Sequence, residues 1–209
     1  MSPRKLILTV LALALGGGAV FAATPLGRDV LFHLVPMAWT GEAARLAGAL
    51  QIEPGSAVAD VGAGGGELII ELSRIVGAEG RAYATERTPE QRRRIADRAA
   101  AAGTAVTVIA AGDSRTNLPD GCCDAVTMRM VMHHIADPTS FAVDLRRSLR
   151  PGGRVGIIDF GPGALPYLAD DHGVPADRVI GHFAAAGFDV AARDDTWGGR
   201  SYLIVFRAR

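Results

Sequence analysis

Cysteine is nearly missing from this 209-residue chain: only Cys122 and Cys123 occur, side by side. Adjacent cysteines make a poor disulfide framework and lack the C-x-x-C spacing of a zinc site, so neither a staple nor a metal centre is expected. Net charge is missing too. Twenty-two Lys and Arg balance 22 Asp and Glu, which leaves no global pull toward nucleic acid. Internal repeats and low-complexity tracts are absent, and the length suits one domain with a substantial core. The one local excess of charge, Arg87 to Arg98, reads as the solvated face of a helix capped by Thr88, with Pro89 at its first position.

What is present begins with Arg4-Lys5, followed by an uncharged stretch from Leu6 to Ala23. Two readings stay open: a secretory signal with Val20-Phe21-Ala22 as its small-residue cleavage site, or an uncleaved anchor at the short end of a membrane span. Residues 1–23 are therefore expected to target a membrane, which makes the chain membrane-associated or exported. From Pro25 to Ala49, apolar residues at helical spacing predict two short helices broken near Pro36 to Gly41. Residues 24–52 are read as a helical lid segment. Glu53-Pro54-Gly55 is a turn that opens the main domain, 53–209.

Within that domain strand-like and helix-like segments alternate, which predicts an α/β layer architecture. Strands are expected at Ala57 to Val61, Arg81 to Thr85, Val106 to Ala110, Asp124 to Met128 and Arg154 to Asp159. Helices fall between them, over Glu67 to Val76, Pro89 to Ala102 and Pro138 to Leu149. After a helix from Pro175 to Ala186, Phe188 to Arg193 and Ser201 to Phe206 are joined by Trp197-Gly198-Gly199, a hairpin whose last strand must run antiparallel.

In such a sheet ligands bind beyond the carboxyl ends of the strands. The first strand ends in Asp60-Val61-Gly62-Ala63-Gly64-Gly65-Gly66, a glycine loop that brings bare backbone N–H groups close to a ligand. The second strand ends in Glu86, 26 residues beyond Asp60, near the spacing at which an acid meets a ribose diol. The third is followed by Gly112-Asp113-Ser114, with Asp113 placed to accept from an exocyclic amine. The fourth ends in Arg129-Met130, with His133-His134 just beyond, and the fifth ends in Asp159.

This constellation resembles the class I S-adenosylmethionine-dependent methyltransferases, in particular their small-molecule branch, over Ser56 to about Arg209. The loop fits the family's acidic-x-Gly-x-Gly-x-Gly element, Glu86 its ribose acid, Ala111-Gly112-Asp113 its adenine-side acid, and Leu149-Arg150-Pro151-Gly152-Gly153-Arg154 the turn before the fifth strand. The resemblance implies a Rossmann-like three-layer sandwich around a mostly parallel seven-stranded sheet with an antiparallel C-terminal strand. It implies S-adenosylmethionine as cofactor, held by Asp60, Gly62, Ala63, Gly64, Gly66, Glu86, Gly112, Asp113, Ser114 and Arg129, and a small-molecule methyl acceptor. The apolar residues Leu31, Phe32, Leu34, Val35, Met37 and Trp39 either suit a hydrophobic acceptor such as a quinone or lipid or pack against the sheet.

NAD is the rival ligand. A dinucleotide fingerprint wants a further glycine where this chain has Glu67, whose charge would oppose a pyrophosphate at the helix start. Direct methyl displacement needs alignment more than covalent help, and a general base only where the acceptor must lose a proton. His133 and His134 are the candidates for that base; the alternative is a pair that caps the next helix or lines the pocket. Asp170-Asp171-His172 is read as loop rather than as a metal site. Arg129-Met130-Val131-Met132 replaces the Asn/Asp-Pro-Pro-Tyr/Phe signature of amine-directed relatives, which argues against nucleic-acid bases as acceptors. The positive start places the following domain across the membrane, away from cytosolic S-adenosylmethionine. A non-catalytic, exported or tethered nucleoside-binding module of the same fold is therefore the second reading.

Overall fold

The computed structural model describes residues 41–163 and 173–209. The expected leader (1–23), most of the expected lid and the 170–172 trio lie outside the described residues. In chain order the elements are α1 (Glu42–Leu50), β1 (Ala57–Val61), α2 (Glu67–Val76), β2 (Arg81–Glu86), α3 (Pro89–Ala101), β3 (Thr107–Ala110), β4 (Cys123–Arg129), α4 (Pro138–Ser148), β5 (Leu149–Phe160), α5 (Ala176–Ala185), β6 (Phe188–Asp194) and β7 (Ser201–Ala208).

The seven strands form one sheet in the order β3-β2-β1-β4-β5-β7-β6. All neighbours from β3 to β5 pair in parallel, and β7 runs antiparallel between β5 and β6. All five residues of β1 are buried, as expected of a central parallel strand covered on both faces. The strand order reverses between β1 and β4, and the crevice at that switch lies beyond their carboxyl ends.

Each face carries its own apolar layer. On one, Leu46 and Leu50 of α1, Ile69 and Leu72 of α2 and Ile95 of α3 pack over Val58, Ala84 and Ile158. Gly156 of β5 lets α1 sit close, because a Cβ there would come within 3.2 Å of Leu50. On the other face Phe141 and Leu145 of α4 and Phe183 of α5 pack with Phe188 and Phe206. The Phe183 and Phe206 rings stack at 4.1 Å.

The caps are those that the side chains favour. Thr88 accepts from the Gln91 N–H at the start of α3, and Asp137 from the Ser140 N–H at the start of α4, each with Pro at the next position.

Two expectations need correction. Pro151-Gly152-Gly153 was expected to be a turn ahead of the fifth strand, yet β5 already begins at Leu149. Leu149 pairs with Cys123 and Arg154 with Ala125, so the Pro-Gly-Gly segment bulges out within the strand instead of preceding it. Cys122 and Cys123, expected to make no disulfide, are bonded to each other. The bond spans neighbouring residues only and ties no separate parts of the chain together.

Candidate functional site

The glycine loop leaves β1 at the switch point and feeds α2. Gly62 has φ +69°, and a Cβ there would lie 2.6 Å from the Val131 side chain, so both backbone and space demand glycine. Its N–H and that of Ala63 donate to the Thr85 carbonyl, which fastens the loop to β2. A Cβ on Gly64 (φ +57°) would meet open space. The Gly64 N–H donates to Oε1 of Glu86 at 2.8 Å, and the Arg87 N–H donates to Oε2 at 2.9 Å. Glu86 is buried, its carboxylate locked at the tips of β1 and β2.

Arg98 of α3 closes the far side of the loop, donating to the Gly65 carbonyl and ion-pairing with Glu67. Partial burial works against ionisation of Glu67, but hydrogen bonds from its own backbone and from Arg98 hold its carboxyl below the usual range. Arg92 donates to the carbonyls of Glu86 and Arg87. The arginine-rich face of α3 is thus not merely solvated: two of its members brace the site. Their spacing in the sequence looks like any exposed helix face, so nothing marked them in advance.

Asp60 points inward from β1, fully buried, with the Thr127 hydroxyl 2.8 Å from Oδ1. Burial pushes its carboxyl up to about 6, against the pull of Arg129 and Thr127, with Glu42 and Glu86 adding to the rise. Arg129, at the tip of β4, donates to Oε2 of Glu42 at 2.9 Å, and the Trp197 indole N–H donates to Oε1 at 2.9 Å. Glu42 was not singled out from the sequence; it lies 87 and 155 residues from these partners. Asp60 and Glu42 thus share the Arg129 guanidinium, and Glu86 lies near enough to act on Asp60. Such a donor set suits a ligand carrying positive charge and opposes a diphosphate.

Asp113 is exposed and pairs with Arg87 at 2.8 Å, so Glu86 and Asp113 flank the same arginine. Gly112 is half-buried, its N–H donating to the Arg115 carbonyl, and Ser114 is exposed. Ala63 and Gly66 are buried against the loop's inner side.

The two histidines separate. His133 Nδ1 lies 2.8 Å from Oδ1 of Asp159 at the end of β5, and its backbone N–H reaches Oδ2 at 3.3 Å. Asp159 is fully buried and also accepts from the Phe160 N–H at 2.9 Å. His134 is exposed, its ring 4.0 Å from that of His133. The sequence marks Asp159 as a strand-end residue but carries no sign of its pairing with His133. Among the described residues no group of three or more His, Cys, Asp or Glu could hold a metal ion.

Residues 59–157 match the family model described as a methyltransferase domain. The chain is 26% identical over 111 residues to the ubiquinone/menaquinone biosynthesis C-methyltransferase UbiE of Marinomonas sp. (strain MWYL1), covering 52% of this chain and 44% of that protein. It is 29% identical over 136 residues to a 2-phytyl-1,4-naphtoquinone methyltransferase of Synechococcus elongatus, covering 64% and 58%. The chain thus spans about half the length of these relatives. A SAM-dependent methyltransferase from Aquifex aeolicus superposes with a TM-score of 0.69 at 23% identity, over 80% of this chain and 90% of that one, a likeness of fold.

Proposed function

The chain belongs to the class I S-adenosylmethionine-dependent methyltransferases, and from that premise we propose that it methylates a small molecule. The observation that carries the reading is the Glu86 carboxylate held against the Gly64 N–H, among surplus carboxylates and beside open space, at the switch point of the sheet. When bound, S-adenosylmethionine supplies an electrophilic methyl group on a sulfonium. Glu86 would hold the ribose hydroxyls, with Asp113 and Ser114 on the adenine side. Asp60 and Arg129 would meet the charged amino-acid end, and Gly62, Ala63, Gly64, Gly66 and Gly112 would leave room for the ligand's body. The carboxylates favour a cationic donor; a dinucleotide would bring its phosphates toward Asp60 and Glu86.

For the acceptor we infer a lipophilic ring, a reading supported by the quinone-related names of the two relatives. The uncharged stretch Leu6 to Ala23 would bring the domain to a membrane where such a molecule resides. The leader-like start with Val20-Phe21-Ala22 favours the second reading, an exported module that binds a nucleoside-like ligand without catalysis.

Calorimetry of the full chain with S-adenosylmethionine and with NADH tests the donor. The methyl donor is expected to bind and NADH not to. Glu86→Gln should weaken the donor ten- to a hundredfold, the effect of losing charge-assisted hydrogen bonds of about 1.5–3 kcal/mol. Tight NADH binding without donor binding would overturn the assignment. A reporter fused at the C-terminus that reads outside the cytosol, with no donor binding, would overturn the enzyme and leave only the fold.

A further inference from the structure

We propose that His133 is the general base of this site, that Asp159 is its positioning residue, and that the acceptor carries a ring hydroxyl that must lose its proton. The proposal rests on the methyltransferase reading and deepens it by naming the group on the acceptor that must ionise.

The geometry carries it. Asp159 is fully buried, and each of its oxygens receives a donor from β5 or from the turn after β4: the Phe160 N–H and the His133 ring at Oδ1, the His133 backbone N–H at Oδ2. A buried carboxylate with such partners is an acceptor only, so the ring nitrogen facing it must carry the proton. Neutral His133 is then the Nδ1–H tautomer, with a lone pair on Nε2, for which no partner exists among the described residues. The same carboxylate holds the backbone N–H and the ring, so swinging the imidazole away costs its 2.8 Å hydrogen bond to Oδ1. The other groups around the pair do not compete. Tyr202 of β7 gives its hydroxyl hydrogen to the Val174 carbonyl at 3.0 Å. Burial and the nearby Asp159 raise the Tyr202 phenol well above its ordinary range, partly offset by Arg193. It stays neutral. Phe160 and His134 pack their rings against His133 at 4.9 and 4.0 Å.

An oriented imidazole with a free lone pair at a strand tip serves an acceptor that must lose a proton before its oxygen, or the ring carbon conjugated with it, can attack. An amine carries its own lone pair and needs no base to attack; a neutral hydroxyl on a ring does. The O–H bond breaks, its electron pair stays on oxygen, and the proton rests on Nε2 until solvent takes it. The developing imidazolium is stabilised by Asp159, as an orienting carboxylate does in the serine-hydrolase triad.

Two readouts test this on the full chain. With 15N-labelled histidine, long-range nitrogen–proton correlations should show His133 protonated on Nδ1 and bare on Nε2, and Asp159→Asn should move population to the Nε2–H form. A wild-type proton on Nε2, or the same tautomer in Asp159→Asn, would overturn the pairing. In methyl-transfer assays 1,4-naphthohydroquinone should be preferred to 1-naphthylamine. His133→Gln should lower kcat on the hydroquinone by about 10²- to 10⁴-fold and erase the acidic limb of its pH profile. Donor affinity by calorimetry should stay within threefold. Preference for the amine, or an undiminished kcat, would refute the hydroxyl acceptor. If neither ring is turned over, the tautomer measurement decides alone. Loss of donor binding in the wild-type chain would instead sink the methyltransferase reading and leave the His133–Asp159 pair standing.

Discussion

Replacing Asp60 by Asn should make this protein more stable at neutral pH while weakening its ligand. The side chain is fully buried, and its carboxyl is lifted from 3.8 to about 6 by loss of solvation and by the carboxylates of Glu42 and Glu86, despite Arg129 and Thr127. At about 1.4 kcal/mol per pH unit, that lift means roughly 3 kcal/mol by which the fold prefers the protonated form. A carboxyl raised on folding adds its full stability below its unfolded value, and that stability is lost as pH climbs through the folded value. The window here runs from 3.8 to about 6. Above it the wild type carries an unfavourable buried charge, and Asn, which keeps the shape and a hydrogen bond to Thr127, does not. Denaturant titration at pH 8 should show Asp60→Asn more stable by about 1–3 kcal/mol, the lower end allowing for imperfect amide packing. At roughly 2–4 °C per kcal/mol for a domain of this size, the midpoint of melting should move visibly. Near pH 4 the gap should close, while S-adenosylmethionine should bind the variant more weakly at pH 8. A wild type more stable than the variant at pH 8, or a gap that stays constant from pH 4 to 8, would refute the reasoning.

Two further outcomes concern the scaffold. Gly62→Ala places a methyl group 2.6 Å from the Val131 side chain at φ +69°, which should cost about 1–3 kcal/mol in denaturant titration and abolish donor binding. Phe183→Ala removes a fully buried ring stacked on Phe206 and should cost about 3–5 kcal/mol while leaving the donor affinity of the folded fraction unchanged.

Much of the fold was legible because its signals are local. The apolar run Ala57 to Val61, the Thr88-Pro89 cap and the Trp197-Gly198-Gly199 break each specify an element within a few residues, and each element stands near its expected place. The Pro151–Gly153 bulge was read as a turn because Pro and Gly report a bend, not whether pairing resumes on both sides of it. The strand tips could be enumerated in advance, so Asp60, Glu86, Arg129 and Asp159 were all in view. Their partners were not. Glu42 reaches Arg129 and Trp197 only because α1 packs over Gly156, and His133 meets Asp159 only because β4 and β5 lie side by side. Such meetings are products of tertiary geometry and leave no periodicity in the chain.

The placement of β7 between β5 and β6 has a consequence for how the molecule is assembled. β6 touches the rest of the sheet through β7 alone, although it is made first. While the polypeptide emerges in order, Phe188–Asp194 has no strand to dock on until Ser201–Ala208 follows and slides in beside Arg154–Phe160. That edge can therefore pair only once β7 is in place, because β6 has no other partner strand.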